Sequence, residues 1–442
     1  MKKCWLLVPV ALLISYPSLS QDTVIHLSLQ EAIEASVLHN DAIGLATLDV
    51  QIAKAKFRQT DVVYSPQGSF YYTASATNNP LNAFGAKLQR ESITEADFNP
   101  PTLNHPAATA DVSGKFELQQ PLMNLDLLYH RKSAAKQVEM SQLLFSRTKE
   151  RLCFETEKAY LQLQMAYNEH KVLTESLATS KAIYKTSGDY FEQGLIQKSD
   201  LLSAELHVMN IETRVTNARS AIQDASDMLS VLMGRTTTVI YTTDSIGING
   251  TVIADRAVLS GERSDFKALR KGMESYDMMI QSSKMSYLPR LNAFAAWQWN
   301  DKRIIGFNAN AYLAGIRLSW NILNGSRTKH SIAQQQLEKA KLVKQLDKEE
   351  HEANWQINHT RRQLSDAFFA MNQQQLAVEQ AAEALRVLQN RYTQGLAKTT
   401  DVLLAQTELS QQKLGAVQAV FHYNLAAAFL QFLTTGNSSP FK

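Results

Sequence analysis

Proline is missing from two long stretches of this sequence. The first runs from Leu122 to Leu288 and the second from Arg290 to Ser439, with only Pro289 between them. Six of the ten prolines are confined to Pro66–Pro121, and two more, Pro9 and Pro17, lie at the extreme N-terminus. Proline removes a backbone donor and clashes with the preceding turn, so its exclusion permits long unbroken helices. Glycine is scarce in the same places, and Asp126–Ser187 contains none. As a helix that stretch of about 62 residues would extend roughly 90 Å. Helices of globular domains seldom pass ~25 residues, so such a length points to a coiled coil, a membrane span or a helical repeat. The stretch carries too much Glu and Lys to span a membrane. Long helical hairpins remain.

Cysteine is nearly absent, with only Cys4 and Cys153. Residues 1–20 read as a secretory signal peptide. Lys2 and Lys3 give the positive start, Trp5–Ile14 the apolar core, and Ser18 and Ser20 the small residues before cleavage. Cys4 precedes the apolar core, so it is not the lipid-bearing cysteine of a bacterial lipoprotein. Removal of the signal leaves Cys153 alone, and no internal disulfide can form despite export to an oxidising compartment. An excess of one charge is also lacking, with 45 basic residues against 42 acidic. Without a basic patch interleaved with aromatics, a nucleic-acid partner is excluded. No later segment shows the ~18 uncharged apolar residues of a membrane helix. Enzyme signatures are missing too: His351-Glu352 lacks the second histidine of a zinc helix, and no phosphate loop or nucleophile elbow occurs. The chain reads as exported, not an enzyme, and without a cofactor or metal.

A short helix is expected over Ser28–Leu38, with Ser28 as its cap and Glu31 at the capping-box position. A second helical pattern runs from Asp41 to about Val63 and stops at Tyr64-Ser-Pro66. The period then changes. In Ser69–Thr77, Phe70, Tyr72, Ala74 and Ala76 alternate with Ser69, Tyr71, Thr73 and Ser75. Residues 79–110, rich in Asn, Pro and Ala, read as a long loop. Val112–Pro121 alternates again, with Val112, Phe116 and Leu118 opposite Ser113, Lys115, Glu117 and Gln119. Period two with one apolar and one polar side is the signature of half-buried strands. A long helix from about Asp126, a break across Ser187–Leu195 and a return helix over Ser199–Met233 follow. Gly234 stands where a helix C-cap favours glycine. Residues 235–262 are irregular, with a short strand at Thr238–Thr242.

The same plan then restarts. Ser264–Gly272 and Glu274–Ser286 read as helices, and Tyr287-Leu-Pro289 repeats Tyr64-Ser-Pro66. Strand-like alternation returns in Leu291–Trp299 and Asn310–Trp320. A second long helix spans about Arg327–Arg391, and a break at Gln394-Gly395-Leu396 leads to a return helix, Thr399–Leu433, ending at Gly436. Residues 193–202 (Gln-Gly-Leu-Ile-Gln-Lys-Ser-Asp-Leu-Leu) align with residues 394–403 (Gln-Gly-Leu-Ala-Lys-Thr-Thr-Asp-Val-Leu) at a constant offset of 201. A fixed offset of this kind marks an internal repeat. The organisation is therefore a signal at 1–20, a first repeat at 21–235, a connecting segment at 236–262, a second repeat at 263–436 and a tail at 437–442.

Four strands of about ten residues have the length of transmembrane β-strands. Four cannot close, since single-chain barrels need about eight, and lipid tolerates no open edge. Several chains would have to pool them, and three would supply twelve. The other reading is a small soluble sheet packed on the helices. Against it stand the signal and the aromatics Tyr71, Tyr72, Trp297, Trp299 and Trp320 near the strand ends.

Through the whole-chain duplication and its paired Gln-Gly-Leu turns, the sequence resembles the TolC-type outer-membrane efflux proteins of Gram-negative bacteria. The resemblance implies a mainly α fold with membrane β-strands: a homotrimer whose coiled-coil α-barrel in the periplasm continues into a twelve-stranded β-barrel in outer-membrane lipid. It implies a passive exit duct for efflux or type I secretion, joined through a periplasmic adaptor (membrane fusion) protein to an inner-membrane pump, proton- or ATP-driven. Gly194, Leu195, Gly395 and Leu396 would form the adaptor-docking tip. Asp200 and Asp401 would ring the narrow entrance, or would only answer the dipoles of the return helices they begin. The family often places a second acidic residue one turn on, where Leu404 and Ser203 stand here. A periplasmic adaptor or structural coiled-coil protein is the alternative, and it would show one hairpin flanked by compact β-domains.

Overall fold

A computed structural model describes residues 24–235, 239–247 and 259–434. The signal residues 1–20, Thr238, most of the connecting segment and Gly436 lie outside the described residues. The elements in order are β1 (Val24–His26), α1 (Leu29–His39), α2 (Asp41–Gln59), β2 (Gln67–Thr77), α3 (Pro80–Gln89), α4 (Pro100–Asn104) and β3 (Thr109–Met123). Then come α5 (Leu125–Glu192), α6 (Lys198–Leu232), β4 (Ile240–Thr242), α7 (Ser264–Met285), β5 (Arg290–Asp301), β6 (Ala309–Ser319), α8 (Arg327–Thr393) and α9 (Thr399–Thr434). The proline-free runs thus become helices of 68 and 67 residues, each followed by a return helix. Ser28 caps α1 in a complete capping box with Glu31, as its sequence predicts.

Several expectations need correction. Residues 79–110 are not one loop: they hold α3, α4 and a short 3-10 turn, Glu95–Phe98. Their prolines start helices, because Pro80 and Pro100 occupy first-turn positions whose N–H would be unpaired anyway. Asn79 completes the start of α3, accepting from the backbone N–H groups of Leu81 and Asn82 at 3.1 and 3.2 Å. The segments Ser264–Gly272 and Glu274–Ser286 fuse into the single α7. Gly272 sits inside it because a Cβ there would come within 3.1 Å of Leu342 and 3.3 Å of Met140. β1 has no sequence signal, since three residues are too few to show alternation; it pairs in parallel with β4.

The chain divides into two compact units, each taking pieces of both repeats. One comprises residues Ala42–Glu150, Val258–Asn358 and Leu433–Lys442, and the described part of it carries the larger sheet. That sheet has the order β2-β3-β5-β6, antiparallel throughout, with β2 and β6 as free edges. Register places Phe70 opposite Phe116, Phe116 opposite Trp297 and Trp297 opposite Tyr312 in one cross-strand row. The neighbouring row on the other face is Tyr71, Lys115, Gln298 and Ala311. The sheet is apolar on one side and largely polar on the other, as the period-two pattern predicts. Its apolar side is bare: Phe70 is 61% exposed and Tyr312 81%. Below the sheet, Trp320 Nε1 donates to the carbonyl of Tyr287 at 2.9 Å, and Asn124 Nδ2 donates to Asn292 Oδ1 at 3.0 Å.

Helix contacts in this unit are polar at several points. Lys271 lies 3.0 Å from both Glu139 and Glu274, and Lys136 lies 3.0 Å from Glu274. At the start of α7, Arg263 and Arg147 flank Asp265 at 2.6 and 3.5 Å. Burial pushes the Asp265 carboxyl up, but the hydrogen bond from Arg263 and the charge of Arg147 outweigh it and hold the group below its ordinary value.

The other unit comprises residues Met1–Asp41, Arg151–Ala257 and His359–Phe432. In it α9 is held between α5 and α8. Lys413 pairs with Glu175 at 3.1 Å, Gln406 Nε2 donates to Ser176 Oγ at 3.1 Å, and the rings of Phe368 and Tyr423 lie 6.1 Å apart. Contrary to the sequence expectation, α9 is long and apolar enough to cross a membrane, the one described helix that is. Packing accounts for part of this, because the face of a helix that lies against its neighbours carries apolar residues. Phe421, Tyr423, Ala426, Ala428 and Leu430 are all buried.

The strap β1/β4 covers one side of α5 in the same unit. Tyr160 Oη donates to the carbonyl of Leu27 at 3.1 Å and Tyr167 Oη to that of Tyr241 at 2.9 Å. Nearby, burial pushes the Glu157 carboxyl above its ordinary 4.5, and no opposing charge lowers it. The folded chain therefore holds that proton more tightly than the unfolded chain. Stability falls as pH rises from about 4.5 through the raised folded value. Glu157→Gln is expected to raise the unfolding midpoint at pH 7, to match the parent at pH 4, and to flatten the slope between. Calorimetry across that range checks it.

Candidate functional site

The two inter-helix turns are built alike. In the first, Gly194 has φ +72, its N–H reaches the carbonyl of Phe191 at 2.9 Å, and the N–H of Leu195 reaches that of Tyr190 at 2.8 Å. In the second, Gly395 has φ +72, with Gly395 N–H to Tyr392 at 2.9 Å and Leu396 N–H to Arg391 at 2.8 Å. This is the Schellman stop, which needs a left-handed residue and so favours glycine. Turning the chain here leaves Leu195 and Leu396 65% and 63% exposed. The turns lie side by side, since Tyr190 Oη donates to the carbonyl of Thr393 at 3.3 Å.

Behind the turns is a core that joins the two hairpins: Ile183, Ala204, Leu385, Tyr392, Val402 and Leu403. Val402 and Ala204 have no exposed surface. At its centre the Tyr392 hydroxyl bridges Ser187 Oγ at 3.0 Å and Thr399 Oγ1 at 3.1 Å. Sequence reading missed this bridge, because Ser187 and Tyr392 come from different repeats and no short spacing links them. Asp200 and Asp401 reach back to the helix starts: Oδ2 accepts from the Gln197 N–H at 3.4 Å and from the Lys398 N–H at 3.2 Å. Asp401 is exposed, and so are Leu404 and Ser203 one turn on.

A duplicated hairpin pair, matched turns and a four-stranded sheet with a bare apolar face are what an outer-membrane duct needs. The family model of the outer membrane efflux proteins matches residues 32–235 and 259–435. The chain belongs to the outer membrane efflux protein family.

Solved outer membrane proteins share the fold. The outer membrane protein VceC of Vibrio cholerae superposes with a TM-score of 0.75 at 16% identity, covering 93% of this chain and 97% of VceC. The Campylobacter jejuni CmeC outer membrane channel gives 0.74 at 12%, covering 99% and 95%. The open state of the Neisseria gonorrhoeae MtrE outer membrane channel gives 0.70 at 13%, covering 92% and 89%. None of the curated proteins matches the sequence. This efflux protein is therefore mostly helical with a two-repeat architecture, and its family consists of outer-membrane channels and not of enzymes. The adaptor alternative fails, for the family model matches both helical hairpins, and the larger sheet among the described residues takes two strands from each repeat.

Proposed function

We propose that three copies of this efflux protein pool their sheets into a twelve-stranded barrel and conduct cargo passively from a periplasmic adaptor to the exterior. The observation that carries this is the sheet itself. It has two free edges, an exposed apolar face led by the Phe70–Phe116–Trp297–Tyr312 row, and a polar opposite face. Open edges and lipid are incompatible, so closure by further copies answers both features at once. The signal at 1–20 takes the chain to the periplasm and is cleaved after Ser20. The turns at Gly194–Leu195 and Gly395–Leu396 dock an adaptor, because two apolar side chains held bare at a rigid tip favour a partner surface. An inner-membrane pump behind the adaptor supplies the energy.

The test is site-specific crosslinking in cells from Leu396→Cys in a Cys153→Ser background, with the captured proteins identified by mass spectrometry. Capture of an adaptor supports the docking assignment. If the chain sits assembled in the outer membrane and no adaptor is captured, the docking tip lies elsewhere.

Asp401 is proposed to give the entrance its charge. Asp401→Asn keeps an oxygen that can accept from the Lys398 N–H, so the helix start survives while three charges leave the trimer. Planar-bilayer recordings should show the cation-to-anion permeability ratio falling severalfold with the unfolding midpoint unchanged. An unchanged ratio would assign Asp401 to capping alone.

A further inference from the structure

The segment between β2 and β3 is folded onto the polar side of the sheet. It lies at the end of the strands away from α2 and α5. Arg90, just past α3, is 3.9 Å from Asp111 of β3 and donates to the carbonyl of Ala110. Asn300 of β5 donates from Nδ2 to Asp111 Oδ2 at 3.1 Å and to Gln89 Oε1 at 3.5 Å. Asp111 and Asn300 share a face with Lys115 and Gln298, opposite the Phe70–Tyr312 row. That row meets lipid in the duct, so the face that holds α3 is the one that lines the bore.

Helix α3 shows two unlike sides. Ala83 and Ala86 are buried, on the same side as Arg90. Leu81 and Leu88 point the opposite way and are 78% and 61% exposed. Phe84 stands between these leucines on the helix surface, and its ring meets that of Phe98 edge-on at 5.7 Å. Phe98 is itself exposed and extends the patch. The turn that carries Phe98 is fixed, since Lys87 Nζ lies 2.6 Å from Asp97 Oδ1 and Thr94 forms a capping box with Asp97. A preformed apolar patch over a polar bore calls for a cover, and lipid is on the other side of the sheet.

The size of the bore identifies that cover. Twelve strands tilted by about 40° close at a radius of roughly 12 Å from backbone to axis. A helix packed on such a wall has its axis about 10 Å in and carries side chains ~5 Å further. Its inner side therefore reaches the centre. A threefold axis brings the same patch of every copy to that point.

We propose that Leu81, Leu88 and Phe98 of three copies meet on the axis and close the outer mouth of the duct with an apolar seal. The partner of the patch is the same patch on the other two copies. The proposal rests on the duct reading, which supplies the threefold axis and the direction of the bore.

The test labels intact cells from outside with a sulfonated dye maleimide too large for general porins. The target is Ser69→Cys in a Cys153→Ser background, on the bore-lining face eight residues inside Thr77, the outer end of β2. With the seal intact, labelling should be slow. Adding Leu81→Glu and Leu88→Glu sets like charges against one another on the axis and should speed labelling at least tenfold. A second measurement needs no opening of the seal: Leu88→Cys in the Cys153→Ser background, treated with a short bis-maleimide, should join copies into dimers on a denaturing gel. Phe70→Cys, on the lipid-facing row, should give none. Native electrophoresis reports whether each variant is a trimer. Labelling at one rate with and without the glutamates, or no dimer from Leu88→Cys, overturns the seal, and if the protein is then still a trimer the duct stands. Absence of a trimer in the parent overturns the duct reading and the seal with it.

Discussion

Gly234→Ala is expected to destabilise the chain by on the order of 3 kcal/mol, while Gly395→Ala costs only about 1 kcal/mol. The three glycines Gly194, Gly234 and Gly395 share one conformation, with φ of +72, +65 and +72. Each ends a helix in the same way; at Gly234 the N–H bonds reach Val231 at 3.0 Å and, from Arg235, Ser230 at 2.8 Å. The backbone strain of an L residue is therefore the same at all three. Their surroundings are not. A Cβ at Gly194 or Gly395 would meet nothing within 4 Å, whereas at Gly234 it would fall 2.3 Å from the carbonyl oxygen of His39. That oxygen is backbone, and it cannot step aside. The close approach is further held by Asn40, whose Nδ2 donates to the carbonyl of Leu232 at 2.8 Å. Thermal unfolding of the two variants side by side checks the difference. Equal losses would mean that α1 shifts freely against the end of α6.

Tyr241→Ala is expected to cost about 3–5 kcal/mol and to release the strap, the scale seen when a large buried aromatic is truncated. Tyr241 has no exposed surface. Its backbone N–H donates to Ser226 Oγ at 3.3 Å, its carbonyl accepts from Tyr167 Oη, and its hydroxyl accepts from Ser230 Oγ at 3.3 Å and Arg235 Nη1 at 3.2 Å. Removing the ring empties the space among α5, α6 and β4 and leaves Ser230 without that acceptor. Tyr241→Phe keeps the ring and loses only the hydroxyl, so about 1 kcal/mol is expected. Hydrogen exchange at residues 24–26 and 240–242 separates the cases: fast for Tyr241→Ala, near the parent for Tyr241→Phe. Slow exchange in Tyr241→Ala would show that the strap is held by its backbone pairing alone.

The elements that local chemistry dictates were legible before the structure. Helices α5, α6, α8 and α9 could be read because proline is excluded for well over a hundred residues and the Gly-Leu turns punctuate what remains. The strands β2, β3, β5 and β6 could be read because their period of two is uninterrupted, and their register then places Phe70, Phe116, Trp297 and Tyr312 in a single row. Prolines misled where they begin helices, at Pro80 and Pro100. β1 went unseen, for it owes its existence to β4, more than two hundred residues away.

The sequence by itself determined the lengths of the helices, the positions of the turns, the two-faced strands and the duplication. The first three follow from residues within a turn or two of one another, and the duplication from the match of residues 193–202 with 394–403. Only the tertiary structure decided that the Tyr392 hydroxyl joins Ser187 to Thr399 and that Gly234 has no room for a Cβ. Those features depend on which side chains meet across helices. A repeat pattern fixes which face of a helix is apolar, but the rotation and offset of its neighbours fix what that face touches.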